Sequence, residues 1–190
     1  TAESNQVDAW FGSALSTAGD VNSDGYSDVI VCAYGYDNGQ TSEGRAYVYH
    51  GLVSGLASTP AWTKEPNLID ARFGFSVSTA GYVNGDGFSD VIVGAVYPYG
   101  LAGRAYVYVG SAIGLAAAPS WTDAPLSHGN FGWSVSTAGD VNGDGFSDVI
   151  VGAPRYDNPE SDEGAAFVYQ GNSSGSLTQM WSFEPNDGIV

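Results

Sequence analysis

Three observations predict an all-β chain built from three repeats of one four-stranded antiparallel unit. First, a block recurs: FGSALSTAGDVNSDGYSDVIVCA at 11–33, FGFSVSTAGYVNGDGFSDVIVGA at 73–95 and FGWSVSTAGDVNGDGFSDVIVGA at 131–153. A block repeated at such a period marks units that bury their apolar faces against one another. Second, the apolar residues keep strand period: Ser-Val-Ser-Thr-Ala alternates, and Asp-Val-Ile-Val-Gly-Ala is a short β-branched run suited to burial on both faces. Third, no window of eleven or more residues keeps a 3.6 period, and 27 glycines argue against long helices.

Each unit then continues in the same order. A second shared strand reads GRAYVYHG at 44–51, GRAYVYVG at 103–110 and GAAFVYQG at 164–171. A Gly/Ser/Ala-rich turn follows, then a short segment ending in Trp62, Trp121 or Trp181, each four residues before Pro66, Pro125 or Pro185. In the first unit the strands are expected near 13–18, 28–33, 45–50 and 60–64, each bounded by Gly, Asn, Asp or Pro. The units span approximately 11–67, 73–125 and 131–187 of a single domain, 1–190. The in-register Trp residues read as packing elements of the outer strand. Tyr47, Tyr49, Tyr106, Tyr108, Phe167 and Tyr169 read as core, and Cys32, standing where the other blocks have Gly94 and Gly152, as a small buried residue.

A four-stranded unit of about 60 residues is the arithmetic of a β-propeller blade. Residues 1–12 align without gaps to 63–74, so the sequence reads as three blades with a connector at each end. Propellers close with about four to eight blades, so the expectation is a partial propeller whose ring is completed by homo-oligomerisation. A head-to-tail homodimer giving six blades is the favoured form, because heterologous contacts that close a ring satisfy every interface.

Five basic against 21 acidic residues, a net charge of −16, exclude a phosphate-backbone partner. No run is long enough to span a bilayer. The first residues lack the charged-then-apolar layout of a secretory signal, so a secreted form of this chain would be one from which the signal has already gone.

Eight of the acids fall in three loops. The first offers Asp20, Asn22, Asp24 and Asp28, with Gly25 for a sharp turn and the Tyr26 carbonyl available between them. The third offers Asp140, Asn142, Asp144, Asp148 and the Phe146 carbonyl. Oxygen donors at positions 1, 3, 5, 7 and 9 suit calcium, a hard cation taking six to eight oxygens. An EF-hand needs an acid at position 12 and flanking helices, whereas position 12 is Val31 and the flanks are strands. In the second loop Tyr82 replaces the first Asp, leaving Asn84, Asp86, Asp90 and the Phe88 carbonyl. Two complete calcium sites and a third, weaker one are therefore expected.

The Phe-Gly openings, the D-x-N-x-D-G-x-x-D loops and Gly-Ala-Pro at 152–154 resemble FG-GAP repeats, the blades of the integrin α-subunit N-terminal propeller and its bacterial relatives. Only the third unit has the full Gly-Ala-Pro. The resemblance implies seven blades, calcium in these loops, and extracellular protein or glycan contacts on the opposite face. On this sequence that face would include Tyr34, Tyr36, Tyr97, Tyr99, Arg155 and Tyr156, with Asp37, Asn38, Asp157 and Asn158 beside them and Trp10, Arg72 and His128 between blades. The function expected is a calcium-binding adhesion or recognition module rather than an enzyme. His50 and His128 occupy unrelated positions, and no nucleophile–histidine motif is present. Two other readings stay open: a structural or engineered self-assembling fragment without a ligand of its own, and a hydrolase whose acids meet only in space.

Overall fold

A computed structural model describes residues 2–98, 102–124, 129–158 and 161–183. Three four-stranded antiparallel sheets form, each wound up and down in chain order. The first is β1 (Ala14–Gly19), β2 (Asp28–Ala33), β3 (Arg45–Tyr49) and β6 (Trp62–Lys64). A two-stranded hairpin, β4 (Gly51–Leu52) and β5 (Gly55–Leu56), is inserted before its last strand. The second sheet is β7 (Phe73–Gly81), β8 (Asp90–Ala95), β9 (Arg104–Tyr108) and β10 (Trp121–Asp123). The third is β11 (Ser134–Gly139), β12 (Asp148–Ala153), β13 (Ala165–Gln170) and β14 (Thr178–Phe183). No α-helix occurs among the described residues. Pro125 and Pro185 lie outside them.

The sheets pack in series, face against face, as propeller blades do. One core joins Ala18, Val21, Ile30, Cys32 and Val48 of the first sheet to Phe73, Val91, Val93, Tyr106 and Tyr108 of the second. The next joins Ala80, Val83, Ile92 and Val107 of the second to Phe131, Val149, Val151, Phe167 and Tyr169 of the third. The period-2 alternation of a strand makes this possible: Val91 and Val93 face one neighbour, and Ile92 between them faces the other. Burial pushes the Cys32 thiol well above its ordinary range, consistent with an inert packing residue.

The Phe-Gly opening has a steric reason. Phe73 and Phe131 are fully buried and meet the aromatic rings of β9 and β13 edge-on, at 5.4 Å from Tyr106 and 5.5 Å from Phe167. The glycine that follows each has positive φ, +85° at both Gly74 and Gly132. A Cβ on Gly74 would strike the Cys32 side chain, and one on Gly132 the Arg104 carbonyl, so no other residue fits there. The outer-strand tryptophans pin one sheet to the next: Trp62 packs edge-on against Tyr108 and Trp121 against Tyr169. The Trp62 indole N–H also donates to the Ala116 carbonyl at 3.0 Å.

Candidate functional site

Antiparallel winding sends all three Asp loops to one end of the stack, between the first and second strands of each sheet. In the first loop Asp20 accepts the N–H groups of Asp24 (3.0 Å) and Gly25 (2.7 Å). Asn22 accepts from Asp24 N–H and donates to its carboxylate at 2.9 Å. Asp24 in turn accepts from Tyr26 N–H at 3.0 Å. Asp140, Asn142 and Asp144 repeat these bonds in the third loop, where Asp144 accepts from Phe146 N–H.

The last acid of each loop is different in kind. Asp28, Asp90 and Asp148 are fully buried. Each accepts two backbone N–H groups, one at the start of its own loop and one just after the third strand: Val21 and Gly51, Val83 and Gly110, Val141 and Gly171, at 2.7–3.0 Å. Burial pushes Asp90 up to about 7, against the pull of its Gly110 and Val83 donors.

These are the oxygen donors a hard cation takes, and the donor chemistry fits calcium. In the arrangement seen, however, the carboxylates turn onto the loop's own N–H groups. Among the described residues no three acidic, histidine or cysteine side chains gather as a metal-binding cluster. In the second loop the Tyr82 backbone carbonyl receives Gly85 N–H, while Asn84 and Asp86 keep their bonds.

Sequence reasoning gave no loop role to the residue at or directly after the end of the third strand, yet it reaches the loop in two repeats. Gln170 donates to Asp144 at 2.6 Å and holds that carboxyl below its usual range. His50, at the same register, lies 3.4 Å from Asn22 through Nδ1. The second repeat has Val109 there. A polar residue in the first and third repeats, which have complete loops, and an apolar one in the second was the available signal.

At the opposite end, aromatic side chains line up across two sheet joints. Ring centroids step from Trp10 to Tyr34 (5.4 Å), Tyr34 to Phe75 (5.6 Å) and Phe75 to Trp133 (4.8 Å). Trp10 and Trp133 are exposed. Beside the row, Asp8, Trp10, Tyr34, Gly35, Ser42 and Arg72 line a recess of about 390 Å³. Phe75 and Trp133 were not anticipated, although the position after each Phe-Gly varies (Ser13, Phe75, Trp133) inside otherwise matching blocks.

The other expected face residues are spread out. Tyr36 carries the Arg45 guanidinium over its ring at 4.0 Å. Tyr97 lines a separate recess with Leu68, Ile69, Ala102 and Arg104. Tyr156 packs edge-on against Phe167, and Arg155 is exposed. Tyr99 and His128 lie outside the described residues.

The FG-GAP repeat family matches residues 11–49 and 131–169, the two repeats with complete loops. Integrin alpha-E of Mus musculus is 34% identical over 163 residues, 80% of this chain. Integrin alpha-PS2 of Drosophila melanogaster is 32% identical over 203 residues, 97% of it. Integrin alpha-7 of Homo sapiens is 35% identical over 149 residues, 75% of it. The chain spans only 12–14% of the length of these relatives. Repeated Phe-Gly openings, Asp loops and serially packed four-stranded sheets thus agree with the comparisons: this chain belongs to the FG-GAP repeat family, with integrin α-subunits among its relatives.

Proposed function

We propose that this chain is part of an extracellular, calcium-binding propeller that recognises a protein or glycan through the end opposite its Asp loops. The observation that carries the reading is the aromatic row from Trp10 to Trp133, exposed at both ends and flanked by Asp8 and Arg72. Flat apolar rings with a few polar neighbours are what such recognition uses. The integrin relatives support an adhesion-type setting.

Calcium would be held by Asp20, Asn22, Asp24, Asp28 and the Tyr26 carbonyl, and by Asp140, Asn142, Asp144, Asp148 and the Phe146 carbonyl. The second loop would hold it more weakly through Asn84, Asp86, Asp90 and the Phe88 carbonyl. Bound there, the ion neutralises clustered carboxylates and cross-links each loop. The chain's own part is to fix the two ends of every loop through the buried Asp28, Asp90 and Asp148, with Gln170 orienting Asp144.

The test is a binding screen against immobilised glycans and extracellular-matrix proteins, with and without calcium. A ligand whose binding falls at least tenfold in Trp133→Ala, with the melting temperature unchanged, is the expected result. Binding unaffected by Trp133→Ala and Trp10→Ala, or no binding across the screen, would refute the recognition surface.

A further inference from the structure

The two outermost sheet faces are halves of a joint that the chain already makes twice. Val21 and Val83 are fully buried by the next sheet, whereas their counterpart Val141 is 53% exposed. With it, Ala138, Ile150, Val168, Met180 and Trp181 line an apolar recess on the third sheet. On the first sheet the reverse face is open. Leu115 and Leu177 are buried, while the equivalent Leu56 is 54% exposed and shares a recess with Phe11, Val29 and Val31.

The polar contacts of the joint repeat as faithfully. Ser89 donates its N–H to the Asp20 carbonyl (2.9 Å), and its hydroxyl accepts Asp20 N–H (3.1 Å). Ser147 makes the same pair with Tyr82, at 3.0 Å each. A Cβ on Gly19 or Gly81 would strike those serine side chains, whereas one on Gly139 meets open space. Ser27, the third serine of the set, is exposed. Trp181 has the register of Trp62 but covers no further sheet, and it stacks on its neighbour Phe183 instead.

We propose that a second copy of this chain fills both faces, head to tail, so that two copies close one ring of six sheets. Trp181 then lies on the partner's Tyr49, as Trp62 lies on Tyr108. Its indole N–H points at the partner's Ala57 carbonyl, as that of Trp62 does at Ala116. Asp140 meets the partner's Ser27. The occupant is argued from the faces: Val141 and Trp181 are exposed on one, Leu56 and Ser27 on the other, where their counterparts pack inside the chain, and Tyr49, already buried, lines the recess beside Leu56; one chain carries both halves. Two copies bring six sheets and three bring nine, while rings of about four to eight are the rule. Heterologous contacts that close leave no face bare. The inference is independent of the calcium and ligand readings.

The test is sedimentation velocity of the full chain in chelator, alone and as two variants, Leu56→Arg and Trp181→Arg. Both substitutions fall on exposed residues. The expected result is a wild-type species at twice the 19.7 kDa chain mass, monomers for each variant alone, and a one-to-one dimer when they are mixed, since each retains one good face. That recovery also shows that both variants fold. A wild-type monomer at every concentration would overturn the proposal and assign the faces to further repeats of a longer chain. A variant that still dimerises alone, or oligomers that grow without limit, would overturn the head-to-tail pair.

Discussion

Asp28, Asp90 and Asp148 were legible in the sequence only as metal donors, because spacing reports which oxygens can converge and not which amides lie behind them. Their burial and paired backbone bonds give them a second task that persists without metal. Asp90→Ala leaves the Val83 and Gly110 N–H groups without their acceptor. An unsatisfied buried donor costs about 1–3 kcal/mol. Urea unfolding in chelator should register that loss, while Asp86→Ala, at the exposed middle of the same loop, should leave stability nearly unchanged. Glu43 poses a different question. It is fully buried, and neither carboxylate oxygen makes a well-formed hydrogen bond among the described residues. Burial raises its pKa first and the Glu65 charge second, with the Asn38 and Gln40 N–H groups and Arg45 opposing. A raised folded pKa means that the folded chain holds the proton more tightly than the unfolded one. Between the ordinary value of 4.5 and the raised folded one, unfolding therefore releases a proton, and stability falls as pH rises through that window. Glu43→Gln should flatten that slope, read as melting temperature from acid to neutral pH in chelator; an unchanged slope would remove Glu43 from the account.

Strands and loops were the most legible scale. The expected 28–33 is β2 to the residue, 13–18 lies one position ahead of β1 at both ends, and 45–50 and 60–64 differ from β3 and β6 by one and two positions at one end. Dense β-branched runs between Gly and Asp punctuation account for that accuracy. The β4–β5 hairpin went unread because it is only two residues a side. The aromatic row was hidden for another reason: its rings come from separate repeats and meet only after the sheets stack. The loops carry the calcium prediction. A ligand that binds the folded state alone stabilises it by about 3 kcal/mol at a hundredfold excess over its dissociation constant. Calcium should accordingly raise the melting temperature and chelator reverse it. Asp24→Ala or Asp144→Ala should each remove about one site by calorimetric titration, and Asp86→Ala should change the stoichiometry least.

For the whole molecule, the repeat predicted how many sheets form and in what order, since each block brings its own strands. It left unread what stands at either end of the stack, because an apolar residue has the same letter whether covered or bare. If copies join there, folding is linked to association, and the melting temperature should rise with protein concentration. Trp181→Arg should abolish that dependence, and a concentration-independent wild type would argue against the joint.

The hydroxyl of one sheet resting on the glycine of the sheet before it also bears on how such a chain can lengthen or shorten. Because Gly19 and Gly81 hold equivalent places against Ser89 and Ser147, excising residues 20–81 would splice β1 onto β8 in unchanged register and leave a stack one sheet shorter with every remaining contact of familiar type. Whole repeats are in this sense interchangeable coinage of the gene: duplication or loss at that boundary alters the size of the stack without requiring a single side chain to be redesigned.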